Sequence, residues 1–124
     1  MKKIAVIFPG IGYHTDKPLL YYSKKLAAQA GYEIVEVPYG GFPKGVKGSA
    51  EKMEQAFYSA LSQAEDILKE VDFLEYEDIL FISKSVGTAV ASAYGAKHHL
   101  STRNIYYTPV EASFQFMDQP GIAF

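Results

Sequence analysis

A serine between small residues follows one of the most apolar segments of the chain. Ile79-Leu80-Phe81-Ile82 is succeeded by Ser83-Lys84-Ser85-Val86-Gly87-Thr88, so Ser85 has a small residue two positions before it and two positions after it. A strand that turns directly into a helix strains its tip residue, and small flanking residues let the neighbouring backbones approach. Ser83 and Gly87 meet this requirement, so the spacing predicts that Ser85 presents its hydroxyl as a nucleophile.

The neighbouring serine fails the same test. With Ser83 as the nucleophile, Phe81 and Ser85 would occupy the two small positions, and phenylalanine is too large for the first of them. Ser85 is therefore the candidate nucleophile. The alternative to a nucleophile is that Ser85 serves only as the N-cap of the following helix, because serine is favoured at that position.

A glycine-bearing loop follows the first apolar run of the chain. Pro9-Gly10-Ile11-Gly12-Tyr13 comes directly after Ile4–Phe8. Acyl transfer develops negative charge on a carbonyl oxygen, and two backbone N–H groups aimed at that oxygen stabilise it. We expect the N–H of Ile11 and that of Val86, the residue after the nucleophile, to form this pair.

The pattern of apolar segments predicts an α/β fold that brings the two loops together. Short apolar runs alternate with longer amphipathic ones, as expected for helices on both faces of a mostly parallel sheet. We predict three α/β/α layers around about five strands, with ligand sites beyond the carboxyl ends of those strands. The predicted strands are Ile4–Phe8, Glu33–Val37, Ile79–Ile82, Asn104–Tyr107 and Gly121–Phe124, and the predicted helices run from about Asp16 to Ala30, Ser49 to Val71 and Gly87 to Lys97.

The first predicted helix is expected to bury one stripe of apolar side chains. Asp16 is suited to its N-cap, and Pro18 is tolerated in its first turn. The charged run from Glu75 to Asp78, by contrast, is expected to lie on the solvated surface. The side chains assigned to the buried stripe by helical spacing are Leu19, Tyr22, Leu26, Ala27 and Ala30.

These segments together resemble the N-terminal portion of an α/β-hydrolase. Ile4–Phe8 is similar to the strand before the oxyanion loop of that family, Pro9-Gly10-Ile11 to the loop's usual His-Gly-x, and Ser83–Thr88 to its nucleophile elbow. Three residues depart from the family pattern. Pro9 stands where many members have His, Ser83 replaces the first Gly of G-x-S-x-G, and Lys84 is unusual before the nucleophile.

The resemblance implies a serine carboxylesterase or a related acyl hydrolase. Ser85 would be the nucleophile, Ile11 and Val86 would donate their backbone N–H groups to the oxyanion, and Ser83 and Gly87 would be the small residues of the elbow. No metal or organic cofactor is implied.

The resemblance also implies an acid and a histidine, in the chain order Ser, then Asp or Glu, then His. No His follows His99, and the chain ends at Phe124, just before the expected acid. We therefore expect residues 1–124 to be a single domain that lacks its C-terminal part and the catalytic base, or one that has lost catalysis. Two residues have possible accessory roles: His14 as a substitute base, and Glu111 where some members carry the acid.

Two other classes of protein fit the same residues. One is a binding domain that keeps the α/β-hydrolase fold without catalysis. The other is a nucleotide- or flavin-binding module of the flavodoxin-like or Rossmann-like kind, for which Gly10 and Gly12 would begin the phosphate loop. A G-x-G-x-x-G fingerprint requires a third glycine where Thr15 stands, although Glu33 and Glu36 fall near the ribose-binding distance.

Composition narrows the range of partners and sites. The 12 Lys and Arg against 14 Asp and Glu give a net charge of −2, so nucleic acid is not an expected partner. The absence of Cys excludes a cysteine nucleophile and thiolate metal sites, and the histidines form no metal-ligand constellation.

No apolar run approaches the roughly 20 residues of a membrane span, and Pro9-Gly10 ends the N-terminal run too early for a signal peptide. We expect a cytoplasmic protein without a membrane partner.

The last two predicted strands suggest the size of the substrate. Only the 13 residues from Thr108 to Pro120 separate them, which is too short for a large cap over the site. An open pocket favours a small, soluble substrate. The last strand would also leave an exposed sheet edge, which a second copy of the chain could cover in a homo-oligomer.

Overall fold

A computed structural model describes residues 2–10, 18–38, 50–107 and 121–123, which form an α/β fold. A short 3-10 turn, Phe73–Glu75, precedes the third strand. The predicted α/β class and parallel sheet are confirmed. The strands are β1 (Lys3–Phe8), β2 (Glu33–Glu36), β3 (Asp78–Lys84), β4 (Arg103–Tyr107) and β5 (Gly121–Ala123), and the helices are α1 (Pro18–Gln29), α2 (Ala50–Leu68) and α3 (Val86–Lys97).

The sheet has the strand order β2-β1-β3-β4-β5, and each neighbouring pair is parallel. β1 and β3 lie side by side, and Phe8 pairs with Ser83 at their carboxyl ends. The helix after β1 packs on one face of the sheet, whereas the helix after β3 packs on the other. Adjacent strands whose connections leave to opposite faces form a topological switch point, where open sheets bind ligands.

The two central strands are apolar because both of their faces are covered. Ile4–Phe8 is fully buried. On one face, side chains such as Phe8 and Phe81 pack against α2 and α3, with their ring centroids 5.0 Å apart. On the other face, Ile7 and Ile82 pack against α1. The arrangement is compatible with three α/β/α layers.

Helix α1 buries a different stripe from the predicted one. Of the predicted residues, Ala27 is buried, whereas Leu19, Tyr22, Leu26 and Ala30 are exposed. The side chains that α1 buries are Leu20, Ser23 and Ala27. The prediction for the other four positions was therefore wrong.

The reason is a serine on the buried face of α1. The Ser23 hydroxyl donates to the Leu19 carbonyl at 2.7 Å and lies 2.8 Å from the Tyr107 hydroxyl. A buried polar group is tolerated when its hydrogen bonds are satisfied. Because Ser23 can be buried in this way, α1 is rotated about its axis relative to the orientation predicted from its apolar residues alone.

The C-terminal end of α2 also differs from the prediction. Helix α2 ends at Leu68 rather than Val71, and Asp72 then caps the 3-10 turn by accepting a hydrogen bond from the Leu74 N–H at 3.1 Å. The N-cap predicted at Asp16 lies outside the described residues. Within the described part of the chain, no helix is long and apolar enough to cross a membrane.

Candidate active site

Ser85 occupies the turn between β3 and α3 and has an unusual backbone conformation. Its φ is 54° and its ψ is −124°. A positive φ crowds the Cβ atom against the backbone, so residues other than glycine seldom adopt it. Such strain persists only where the surrounding structure enforces it, and it is concentrated at functional sites.

One other described residue, His99, combines a side chain with a positive φ, of 53°. It comes just after the end of α3, where a residue in the left-handed conformation commonly terminates a helix. Helix termination therefore explains His99. It does not explain Ser85, which precedes a helix.

Hydrogen bonds on both sides of Ser85 enforce its conformation. The Ser85 N–H donates to the Tyr107 carbonyl of β4 at 2.9 Å. The Ser85 carbonyl accepts from the Thr88 N–H at 2.9 Å and from the Thr88 hydroxyl at 2.6 Å. The backbone of the turn is therefore tied to both the sheet and the helix.

The Ser85 side chain does not cap α3. A capping serine accepts a hydrogen bond through its hydroxyl from the second or third N–H of the helix. The third N–H, that of Thr88, donates instead to the Ser85 backbone carbonyl, and the side chain makes no capping bond. The half-buried Ser85 hydroxyl is therefore not committed to a cap.

Gly87 lies against the carboxyl end of β1. A Cβ atom at this position would come within 2.3 Å of the Phe8 carbonyl oxygen and 2.5 Å of that of Pro9. Side chains do not pack this closely on backbone atoms. Only glycine allows α3 to begin so near β1, which is the close approach that the sequence spacing predicted.

Ser83, the other small residue of the predicted elbow, is fully buried. Its hydroxyl donates to the Ile105 carbonyl of β4 at 3.5 Å. It shares the face of β3 that packs against α3, because Ser83 alternates in phase with Phe81. A larger side chain at Ser83 would enter this packed interface.

The loop after β1 meets the turn at Gly10. A Cβ atom at Gly10 would lie 3.2 Å from the Ser85 Cβ and 3.1 Å from the Lys84 carbonyl oxygen. Gly10 is itself buried. The structure thus brings the start of the glycine-bearing loop beside Ser85, at the switch point of the sheet.

The remaining predicted site residues divide into two groups. Val86 is the first residue of α3 and is buried, next to Ser85. The predicted oxyanion donor Ile11 and the accessory candidates His14 and Glu111 lie outside the described residues. Across the described ranges, no cluster of three or more His, Cys, Asp or Glu side chains could hold a metal ion.

The histidines at the other end of α3 cannot act on Ser85. Twelve residues of helix separate Ser85 from His98, which corresponds to about 18 Å of helical rise. His98 is instead 2.7 Å from a carboxylate oxygen of Glu65 on α2. His99 follows it at the same end of the helix.

Sequence reasoning missed two residues that contact the turn. Thr88 was given no role of its own, although a hydroxyl three positions after the residue that precedes a helix is a local signal for a bond to the turn. Tyr107 accepts the Ser85 N–H through its carbonyl and reaches α1 through its hydroxyl. Its role depends on strand pairing, so no local pattern reveals it.

Comparison of the sequence with families and curated proteins identifies no relative. No model of a known protein family matches the chain, and no curated protein is significantly similar to it in sequence. The residues of the turn and their geometry therefore carry the functional argument.

Proposed function

We propose that this protein is a serine hydrolase of the α/β-hydrolase type, acting as a carboxylesterase or related acyl hydrolase on small soluble substrates, with Ser85 as its nucleophile. The observation that carries the proposal is the strained turn at Ser85, with φ 54° and ψ −124°, whose side chain does not cap the helix it precedes. A strained strand-to-helix turn that exposes a serine hydroxyl is the device by which α/β-hydrolases present their nucleophile.

The chemistry is nucleophilic acyl transfer. Ser85 Oγ adds to the acyl carbon, the carbonyl π electrons move onto oxygen, and the hydroxyl proton passes to an imidazole base. The oxyanion then collapses, and the bond to the alkoxide leaving group breaks as that group takes the proton from the imidazolium. Water hydrolyses the acyl ester on Ser85 by the same sequence of steps.

The start of α3 suits the developing negative charge. The N–H of Val86 belongs to the first residue of α3, and the N-terminus of a helix carries partial positive charge. Together with the N–H of Ile11, it would supply the two donors that an oxyanion requires. The start of α3 lies against the carboxyl end of β1 at Gly87, and Gly10, which precedes Ile11 in the sequence, lies beside Ser85.

The base is the remaining requirement. An imidazole must lie within hydrogen-bond reach of the Ser85 hydroxyl, and His98 and His99 are at the far end of α3. Within this chain His14 is the candidate for a substitute base, because it comes four positions after Gly10, which lies beside Ser85.

Labelling with a fluorophosphonate, followed by intact-mass measurement, tests the proposal. We expect one adduct on the wild-type protein and none on Ser85→Ala. Ser92→Ala is a matched control, since its hydroxyl lies in α3 and donates to the Thr88 carbonyl at 2.7 Å. If His14 is the base, His14→Ala also abolishes the adduct. A folded wild-type protein that remains unmodified at Ser85 contradicts the proposal and favours a non-catalytic binding domain.

A second candidate, a flavodoxin-like nucleotide- or flavin-binding module, is favoured by the strand order. The order β2-β1-β3-β4-β5 is the flavodoxin-like one, with its ligand at the β1/β3 switch point. That function does not require a strained serine after β3. Flavin or nucleotide released from the purified, denatured protein would support it over the hydrolase.

A further inference from the structure

We propose that Thr88 is a positioning residue that aims the Val86 N–H at the oxyanion. The assignment rests on the proposed function, because it concerns the same acyl-transfer site. The fully buried Thr88 donates two hydrogen bonds to the carbonyl oxygen of Ser85, from its hydroxyl at 2.6 Å and from its N–H at 2.9 Å. Both bonds end on the peptide group that follows the nucleophile.

That peptide group connects Thr88 to the oxyanion donor. The carbonyl of Ser85 and the N–H of Val86 belong to one planar trans peptide, so they point in opposite directions. Fixing the oxygen therefore fixes the direction of the N–H. Hydrogen bonds to the oxygen also polarise the peptide and strengthen its N–H as a donor.

The side-chain bond matters because the turn is strained. A regular N-cap residue has an extended backbone, whereas Ser85 combines φ 54° with ψ −124°. Its carbonyl bonds to the residue three positions ahead through both the backbone and the hydroxyl. The Thr88 hydroxyl thus adds a second restraint on the orientation of the peptide between Ser85 and Val86, next to a residue whose backbone dihedral angles are unfavourable.

Three variants isolate this hydroxyl. Thr88→Val keeps the shape of the side chain and removes the bond, whereas Thr88→Ser keeps the hydroxyl. Ser92→Ala removes a different hydroxyl of α3, which donates to the Thr88 carbonyl and does not contact Ser85. It is the control for the loss of a buried hydrogen bond in this helix.

The rate of phosphonylation by the fluorophosphonate is the kinetic measurement. Loss of a whole oxyanion donor lowers rates by about 100- to 1,000-fold, so a donor that is merely misdirected should lower the inactivation rate constant by about tenfold. We expect that decrease in Thr88→Val with the reagent's binding constant unchanged. We expect Thr88→Ser and Ser92→Ala to react at nearly the wild-type rate.

The ¹⁵N chemical shift of the Val86 amide is a second measurement, independent of reactivity. It responds to hydrogen bonding at the preceding carbonyl, so we expect it to move in Thr88→Val and to stay near the wild-type value in Thr88→Ser.

The outcomes separate the two proposals. A wild-type protein that is not labelled at Ser85 contradicts the hydrolase and the role of Thr88 with it. A labelled wild type with an equally fast Thr88→Val overturns the role of Thr88 alone. So does a Ser92→Ala variant that is slowed as much as Thr88→Val, or a Thr88→Ser variant that fails to restore the rate.

Discussion

The two ends of the sheet use their polar groups in different ways. At the amino ends of the strands, the Asp78 carboxylate of β3 accepts hydrogen bonds from the Tyr32 hydroxyl at 2.6 Å and from the Arg103 guanidinium of β4 at 2.5 Å. Arg103 also donates to the Tyr32 hydroxyl. At the carboxyl ends, the hydrogen bonds that hold Ser85 involve its backbone, and its side chain makes no capping bond.

The electrostatics of the amino end agree with a structural role. Burial by itself would raise the pKa of Asp78, but hydrogen bonds from Tyr32 and Arg103, together with the positive charges of Arg103 and Lys3, hold that pKa below the usual range. Burial and the bond to Asp78 raise the pKa of Tyr32. The folded state therefore favours the charged carboxylate of Asp78 and the neutral hydroxyl of Tyr32, which are joined by a hydrogen bond. We infer that the paired side chains at the amino end of the sheet contribute stability. The strained conformation of Ser85 at the carboxyl end costs stability and leaves the serine side chain without a capping bond.

Gly87→Ala changes the packing at the carboxyl end of the sheet and should have the largest effect on stability. The new Cβ would meet the backbone of β1 at 2.3 Å, and backbone cannot move aside as a flexible side chain can. We expect the free energy of unfolding to fall by about 3 kcal/mol or more, as for other strongly strained substitutions. Chemical denaturation measures it.

Gly95→Ala is the matched control in the same helix. Its Cβ would lie 3.7 Å from the Phe81 ring, an ordinary contact, and replacing a helical glycine by alanine stabilises by about 0.5–1 kcal/mol. A Gly87→Ala protein as stable as Gly95→Ala would show that α3 does not begin against β1.

The strain of the turn at Ser85 and the need for small residues beside it were predictable from the sequence because that strain is local, even though the backbone that Gly87 approaches belongs to the distant residues Phe8 and Pro9. The spacing of Ser83, Ser85 and Gly87 reflects the sterics of one turn, and the apolar runs of β1 and β3 reflect burial on both faces. Those features depend on few neighbours. The conformation of Ser85 and the position of its flanking glycine could therefore be anticipated before any tertiary contact was known.

Long-range partners account for what the sequence did not reveal. Asp78 was expected on the solvated surface, yet it is half-buried and bonded to Tyr32 and Arg103, which are 46 and 25 positions away. Ser23 can be buried because Tyr107 lies beside it, 84 positions along the chain. Without the strand pairing, the hydrogen-bond partner of such a polar residue is unknown, so the sequence alone assigns the residue to the surface.

Ser85→Gly tests whether the carboxyl end gives up stability for function. Glycine adopts a positive φ without strain, whereas alanine retains the crowded Cβ. After allowance for the greater freedom of glycine in the unfolded chain, relief of the strain should raise the free energy of unfolding by about 1 kcal/mol. We expect Ser85→Gly to be more stable than both wild type and Ser85→Ala in chemical denaturation. Equal stabilities of the glycine and alanine variants would show that Ser85 is not strained.

Asp78→Asn tests the stabilising role of the amino end, and its effect should be the smallest. The asparagine keeps a hydrogen-bond acceptor but loses the charge that faces a largely exposed Arg103, so we expect a loss of less than about 1 kcal/mol at neutral pH. Because the folded state lowers the Asp78 pKa, the charge stabilises folding above the carboxyl's ordinary pKa, and this stabilisation is lost as the pH falls through the lowered value. Wild type should therefore exceed Asp78→Asn in chemical denaturation at neutral pH and converge with it in acid. A difference that persisted unchanged into strong acid would mean that the ion pair is not its source, and the two ends of the sheet would then differ in strain alone.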